Sequence, residues 1–162
     1  MDSIWLSING RALHLGGRGI VIGACYAAPA TSELYRQPGR RPGADPTHKV
    51  MGQLRDLIRR FKSPHDELLI LGDFNARVAQ LQDLPDVQAD EQLEMLIGVP
   101  VGDSYHLRGI PDRRSKDQST NSFGRAFIDL CRDLELVILN GRVHGDTEGE
   151  ITLCTKTVSV GA

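Results

Sequence analysis

The sequence lacks a long hydrophobic run. No apolar stretch approaches the roughly 20 residues that a membrane-spanning helix needs, so the sequence predicts a protein without membrane contacts. Met1 is followed by Asp2 rather than by a basic segment and a long apolar one, so we expect no secretory signal. These absences predict a soluble protein in an intracellular location.

Cysteine is also scarce. The three cysteines, Cys25, Cys131 and Cys154, are odd in number and scattered, and they lack the spacing of metal ligands. This pattern argues against a disulfide-stabilised secreted scaffold and against a cysteine-bound zinc site. We therefore expect reduced thiols in the core of an intracellular protein.

The chain has no strong excess of either charge. Its formal net charge is -2 and its pI is about 6.2, which gives no support for an extensive nucleic-acid-binding surface. We expect most of the clustered arginines to lie on solvated loops and helix faces. The clusters are Arg36, Arg40 and Arg41; Arg55, Arg59 and Arg60; and Arg108, Arg113 and Arg114.

The remaining composition is that of an ordinary globular protein. A chain of 162 residues with 40% apolar and 25% charged residues is sufficient for one domain with a sizeable core. No repeat, linker or low-complexity tract divides the chain, so residues 1–162 are interpreted as a single domain.

Hydrophobic periodicity predicts strands that alternate with helices, which favours an α/β layered fold. Thr47 is interpreted as the N-cap of the first helix, and Asn121 or Ser122 as the cap of the last. Polar, Pro-rich or Gly-rich composition predicts loops at Ala28–Pro46 and Arg108–Ser119. The predicted strands are Ile4–Ile8, Gly19–Tyr26, Glu67–Gly72, Leu136–Leu139 and one near Ile151, and the predicted helices are Thr47–Phe61, Asp90–Ile97 and one from residue 121 or 122 to about residue 134.

The segment Leu68–Arg77, with the sequence LLILGDFNAR, is the most informative part of the chain. Its apolar run predicts a buried strand that ends at Gly72. Because side chains alternate along a strand, Asp73 and Asn75 are expected on one side and Phe74 in the core. A carboxylate beside a carboxamide suits hard-cation or phosphate chemistry. A plain turn after a strand remains the alternative, because Gly, Asp and Asn all favour turns.

This motif resembles the signature of the endonuclease/exonuclease/phosphatase superfamily, whose fold is that of deoxyribonuclease I. The segment Ala24–Pro29 resembles the strand and Tyr that precede the signature in that family. The segment from Asn121 to Thr152 is similar to a passage in the endonuclease domains of non-LTR retrotransposons. The resemblance covers about Ile4 to Thr152 and implies two facing sheets with helices outside.

The resemblance also implies roles for particular residues. Asp73 would orient or activate the attacking water, Asn75 and Tyr26 would bind the phosphate, and Thr152 is a weaker phosphate or backbone contact. For Tyr26 an interior position, and for Thr152 a plain strand position, are the alternatives. The family implies Mg²⁺ as cofactor and DNA as partner, with the nucleus as one location. Because Tyr26 and Asp73 would share a cleft, we expect their strands to be neighbours.

Several parts of the family's active site are missing from the sequence. The residues before Tyr26 contain no Glu, and their one carboxylate is that of Asp2. The Ser-Asp-His that the family uses is also missing, and we expect all five histidines, His14, His48, His65, His106 and His144, on the surface. The chain is therefore interpreted as a central fragment, incomplete at both ends, with no metal site of its own and little activity. Missing strands would expose the sheet and favour aggregation.

Three functional hypotheses follow. The first is a fragment of a Mg²⁺-dependent, endonuclease-type phosphodiesterase domain, and the second is a non-catalytic binding or interaction module on a degenerate endonuclease scaffold. The third, a phosphatase acting on inositol lipids or sphingolipids, is disfavoured by the retroelement-like passage that ends at Thr152.

Overall fold

A computed structural model describes residues 1–10, 18–35, 45–84 and 110–150. Within these ranges the chain is a mixed α/β structure with one three-stranded sheet and two α-helices, which confirms the predicted α/β class. The expected helix at Asp90–Ile97 and the expected strand near Ile151 lie outside the described residues. The strands are β1 (Asp2–Ile8), β2 (Ile20–Tyr26) and β3 (Glu67–Asp73), and the helices are α1 (Thr47–Phe61) and α2 (Ser122–Asp133).

The central strand of the sheet is β2. It pairs antiparallel with β1 and parallel with β3, so the strand order is β1-β2-β3. The parallel pair needs a long connection, and α1 lies within that connection. All three strands were predicted within two residues of their observed ends, because each carries an apolar run bounded by polar or turn-forming residues.

One face of the sheet is covered by the helices. Cys25 of β2 belongs to a buried cluster with Leu54 of α1 and Phe123 of α2, and Trp5 of β1 packs against that cluster. The ring of Trp5 also stacks on Phe61, with 5.2 Å between the ring centroids. The amphipathic helices therefore bury their apolar stripes on this face, as the helical spacing predicted.

The opposite face of the sheet is open among the described residues. Ile4 is 77% exposed, Leu6 56% and Leu71 51%, although all three are apolar. The strand register places Ile4, Ala24 and Leu71 in one row across the sheet. Within the described part of the chain, the sheet therefore packs against helices on one face and exposes apolar side chains on the other. No helix within that part is long and apolar enough to span a membrane.

This open face carries a prediction about solubility. We expect the purified chain to self-associate at micromolar concentration, because a contiguous apolar sheet face promotes association. Replacing two exposed side chains in Ile4→Lys/Leu6→Lys should raise the monomer fraction several-fold, as measured by sedimentation velocity. A wild-type chain that is monomeric and unfolds in a sharp, reversible transition would contradict this expectation.

The helix N-termini match the prediction in one case and not in the other. Asn121 is the N-cap of α2, and its side chain accepts a hydrogen bond from the Gly124 N–H at 2.7 Å, as predicted. The prediction that Thr47 caps α1 is wrong, since the N-cap is Pro46 and Thr47 is the first helical residue. Asp45 takes the accepting role instead, because its Oδ1 accepts a bond from the Thr47 N–H at 2.9 Å.

The predicted strand at Leu136–Leu139 is wrong as well, since this segment is not paired in the sheet. Two side chains form hydrogen bonds with the main chain of Ile138. Asp83 accepts a bond from its N–H at 2.6 Å, and Arg142 donates to its carbonyl at 2.8 Å. The apolar run thus satisfies part of its backbone hydrogen bonding without a neighbouring strand.

Several single-residue predictions can be compared with the structure. Cys25 and Cys131 are buried free thiols, as predicted, and burial raises the pKa of Cys131 to about 12. His48, His65 and His144 are exposed, also as predicted. Arg113 is an exception to the expected solvated arginines, since it is only 3% exposed and donates to the carbonyl of Leu81 at 3.0 Å. Cys154, His14 and His106 lie outside the described residues.

Candidate functional site

The candidate site lies where β2 and β3 end side by side. Tyr26 and Asp73, the last residues of these strands, are partners in the parallel register. The Ala27 N–H donates to the Asp73 carbonyl at 2.9 Å and extends this pairing by one residue. Register partners point to the same face of a sheet, and both side chains are exposed. The predicted adjacency of the two strands is therefore confirmed, whereas the chemical roles remain predictions.

Gly72 makes this close pairing possible. Its φ is +142°, and a Cβ placed there would lie 1.8 Å from the carbonyl oxygen of Cys25 on β2. A side chain at this position would push β3 away from β2 just before the strands end. The Gly of the signature is thus required by the sheet as well as by the turn.

Asn75 is held next to Asp73 by the turn and not by the strand. The strand ends at Asp73, and Asn75 has a φ of +47°, in the left-handed region. Its N–H donates to Asp73 Oδ1 at 2.8 Å, and its Nδ2 donates to the Ala27 carbonyl at 2.9 Å. The alternation of side chains along a strand therefore does not determine how the side chains of Asp73 and Asn75 lie relative to each other. One Nδ2 hydrogen is engaged by Ala27, which leaves the second hydrogen and Oδ1 to interact with a ligand.

Phe74 anchors the turn in the core, as predicted. It packs against the buried cluster and stacks on Phe127 of α2, with 4.8 Å between the ring centroids. Asp73 and Asn75 are the neighbours of Phe74 in sequence, so the stacking of Phe74 on Phe127 holds the turn that carries them against α2.

Asn121 also contacts the turn, a role that sequence reasoning missed. Its Nδ2 donates to the Asn75 carbonyl at 2.8 Å, and its Oδ1 accepts from the Arg77 N–H at 3.1 Å. Arg77 in turn forms a bidentate pair with Asp117 at 2.9 and 2.8 Å, which lowers the pKa of the Asp117 carboxyl. The capping pattern in the sequence identified Asn121 as an N-cap. Its bond to Asn75, which is 46 residues away, could not be predicted from the residues around either position.

Among the described residues, no group of three or more His, Cys, Asp or Glu residues is arranged to hold a metal ion. Asp2 is the register partner of Tyr26 from the other side, so its Cα lies two strand spacings, roughly 10 Å, from that of Asp73. Mg²⁺ prefers near-octahedral oxygen coordination, which Asp73 and Asn75 alone do not provide. Thr152, the remaining predicted site residue, lies outside the described residues.

A separate apolar groove of about 770 Å³ lies along β3. Its lining includes Leu69 and Leu71 of β3 and Leu136 and Ile138 of the segment that follows α2. Tyr26, Asp73 and Asn75 do not line this groove. The volume of the groove is therefore no reason to include it in the candidate site. The residues with phosphate or cation chemistry lie on the exposed end of the sheet instead.

Comparisons with protein-family models, curated proteins and solved structures found no match to this chain. A functional inference consequently depends on the residues themselves and on the geometry that brings them together. That geometry consists of a Tyr and an Asp in register at one sheet end, with an Asn in the turn that follows.

Proposed function

We propose that the chain is part of a Mg²⁺-dependent, endonuclease-type phosphodiester hydrolase of the endonuclease/exonuclease/phosphatase superfamily. The single observation that carries the proposal is the register pairing of Tyr26 with Asp73 at one exposed sheet end. A site shared by the two side chains requires neighbouring strands, and the 46 residues between Tyr26 and Asp73 do not themselves fix that arrangement.

The proposal also concerns the fold. In a layered β-sandwich flanked by helices, one face of each sheet packs on helices and the other packs on the second sheet. The helices α1 and α2 cover one face of the sheet here, and the opposite face presents Ile4, Leu6 and Leu71. An apolar face of this kind is what a second sheet would cover.

In the proposed site each side chain has a distinct role. The Asp73 carboxylate orients or activates the attacking water, because it is an exposed acceptor fixed by the Asn75 N–H. The remaining Nδ2 hydrogen of Asn75 and the Tyr26 hydroxyl donate to phosphate oxygens, and Thr152 is a weaker candidate for such a contact. The Mg²⁺ would need oxygen ligands beyond those of the described residues, so no step is assigned to it. DNA is the proposed partner, and an intracellular location that includes the nucleus is proposed with it.

The isolated chain is expected to show no measurable Mg²⁺-dependent nicking of supercoiled DNA. Catalytic groups that act as a unit lose most of the rate when some of them are missing, and the sequence contains neither the Ser-Asp-His of the family nor a Glu before Tyr26. An agarose gel assay with added Mg²⁺ tests this. Robust nicking that disappears in Asp73→Ala would overturn the prediction, and nicking unchanged by that substitution would indicate a contaminating nuclease.

Ligand binding tests the proposed site itself. We expect a short DNA duplex, added with Mg²⁺, to shift the NMR signals of Tyr26, Asp73 and Asn75 in the wild-type chain. Asp73→Asn and Tyr26→Phe should each reduce those shifts. Asp129→Asn is the matched control, because Asp129 is an exposed carboxylate on α2. Shifts confined to other surfaces, or equal loss in the control, would contradict the proposal.

The open sheet face favours a second candidate function, a non-catalytic interaction module. Its exposed apolar residues, Ile4, Leu6 and Leu71, are typical of a protein-binding surface. The same titration separates the two functions. An interaction module would show no response of Tyr26 and Asp73 to DNA.

A further inference from the structure

The side chain of Asn121 joins the first turn of α2 to the turn that carries Asp73 and Asn75. Its Oδ1 accepts two bonds, from the Gly124 N–H at 2.7 Å and from the Arg77 N–H at 3.1 Å. Its Nδ2 donates to the Asn75 carbonyl at 2.8 Å. One amide therefore satisfies a helix cap and two main-chain groups of the candidate site.

The main chains of the two segments also meet directly. The Asn121 N–H donates to the Arg77 carbonyl at 3.2 Å. A Cβ on Gly124 would lie 1.8 Å from that same carbonyl oxygen. The first turn of α2 therefore lies against residues 73–77, which we call the site turn, with no room for a side chain between them. The side-chain bonds of Asn121 are thus made across a tightly fitted contact.

The conformation of Asn75 needs such support. A residue other than glycine in the left-handed region occupies a sparsely populated conformation, and Asn75 has a φ of +47°. Bonds to Asp73 Oδ1 and to the Ala27 carbonyl fix its N–H and its side chain. The third anchor is the main-chain carbonyl of Asn75, which accepts a bond from Asn121 Nδ2.

We propose that Asn121 is a positioning residue that sets the conformation of Asn75, and through it the placement of the Asn75 amide beside Asp73. The proposal rests on the proposed function in one respect, namely that Asn75 is a ligand-contacting group. The role is distinct from capping, because the capping bond uses Oδ1 and the bond to Asn75 uses Nδ2.

This division of the amide allows a clean test. Asn121→Asp keeps an oxygen acceptor for the Gly124 and Arg77 N–H groups, and Asp is as good an N-cap as Asn. It removes the donor to the Asn75 carbonyl and places a carboxylate oxygen there. We expect hydrogen exchange of the Asn75 amide to become about tenfold faster, in keeping with the loss of one hydrogen bond. Exchange in the middle of α2 should not change.

The backbone chemical shifts of Asn75 in Asn121→Asp are a second measurement of the positioning role, because they depend on the left-handed conformation of Asn75. A residue that only capped α2 would leave them unchanged in Asn121→Asp. Asn140→Asp is the matched control, since the side chain of Asn140 donates to Asp146 at 3.3 Å and not to the Asn75 carbonyl. We expect Asn140→Asp to behave like the wild type at Asn75.

The outcomes separate this proposal from the proposed function. Unchanged exchange and unchanged Asn75 shifts in Asn121→Asp would overturn the positioning role. Faster exchange with an unaltered DNA response of Tyr26 and Asp73 would also overturn it, leaving Asn121 a structural residue. A wild-type chain that does not respond to DNA would instead contradict the proposed function, and changed Asn75 shifts in Asn121→Asp would then still support control of the turn by Asn121.

Discussion

Gly124→Ala is expected to destabilise the chain by about 3 kcal/mol, the upper end of the usual cost of overpacking. The added Cβ would lie 1.8 Å from the Arg77 carbonyl oxygen and 2.5 Å from its carbon, and both are main-chain atoms that cannot rotate away. Gly124 is buried at the start of α2, so the helix would have to move off the site turn. Helix propensity alone predicts the opposite sign, because Ala is favoured over Gly inside helices by about 1 kcal/mol.

Gly52→Ala is the matched control. Gly52 also lies within a helix, α1, but a Cβ there meets nothing within 4 Å. We therefore expect it to stabilise the chain by about 0.5–1 kcal/mol. Both substitutions are made in the Ile4→Lys/Leu6→Lys background, in which self-association is reduced. Urea unfolding followed by the fluorescence of Trp5 measures them, since this single tryptophan stacks on Phe61 of α1. Equal effects of the two substitutions would show that the contact between α2 and the site turn is not close.

Much of the fold could be predicted from the sequence. The helices α1 and α2 each carry a periodic apolar pattern that their burial reproduces, and β2 and β3 each carry an apolar run that ends in turn-forming residues. The core position of Phe74 followed from the same reasoning. These features are local, because a short window of residues contains the whole signal.

The missed features depend on contacts between residues distant in sequence. Asn75 in its left-handed conformation makes a local bond to Asp73 and distant bonds to Ala27 and Asn121, and no window around Asn75 contains the two distant partners. At the candidate site the sequence therefore supplied the residue types and the neighbouring strands. It did not supply the turn geometry that relates Asp73 to Asn75.

The unpaired segment Leu136–Leu139 shows the same limit in the fold. Its four apolar residues predict a strand, but Asp83 and Arg142, which are 55 and 4 residues from Ile138, bond its main chain instead. The apolar pattern predicts burial and gives no information on which group will satisfy the backbone. Here the group is a buried ion pair.

Asp83→Ala is expected to cost about 3–5 kcal/mol, because it leaves the buried charge of Arg142 without its counter-ion. The side chains of Asp83 and Arg142 are 0% and 3% exposed. Arg142 Nη1 lies 2.8 Å from Oδ1, while its hydrogen-bond geometry favours Oδ2, also at 2.8 Å. The substitution also removes the acceptor of the Ile138 N–H. Nearby Arg113 adds to the uncompensated charge, and its pKa is lowered chiefly by burial.

Two further variants separate burial of charge from the contact itself. Glu148→Ala breaks the exposed pair of Arg114 and Glu148, whose side chains are 68% and 53% exposed, and should cost less than about 1 kcal/mol. The double variant Asp83→Leu/Arg142→Met removes the ion pair but leaves Arg113 buried without Asp83, so it should recover part of the loss seen in Asp83→Ala. Urea unfolding in the Ile4→Lys/Leu6→Lys background measures all three. If Asp83→Ala cost no more than Glu148→Ala, the pair would be open to water, and the unpaired state of Leu136–Leu139 would need another cause. If the double variant recovered nothing, the larger contribution would come from contacts that the apolar pair cannot restore. These are the bonds to the Ile138 N–H and carbonyl, the bond from Arg142 to the Pro111 carbonyl, and the negative charge near Arg113.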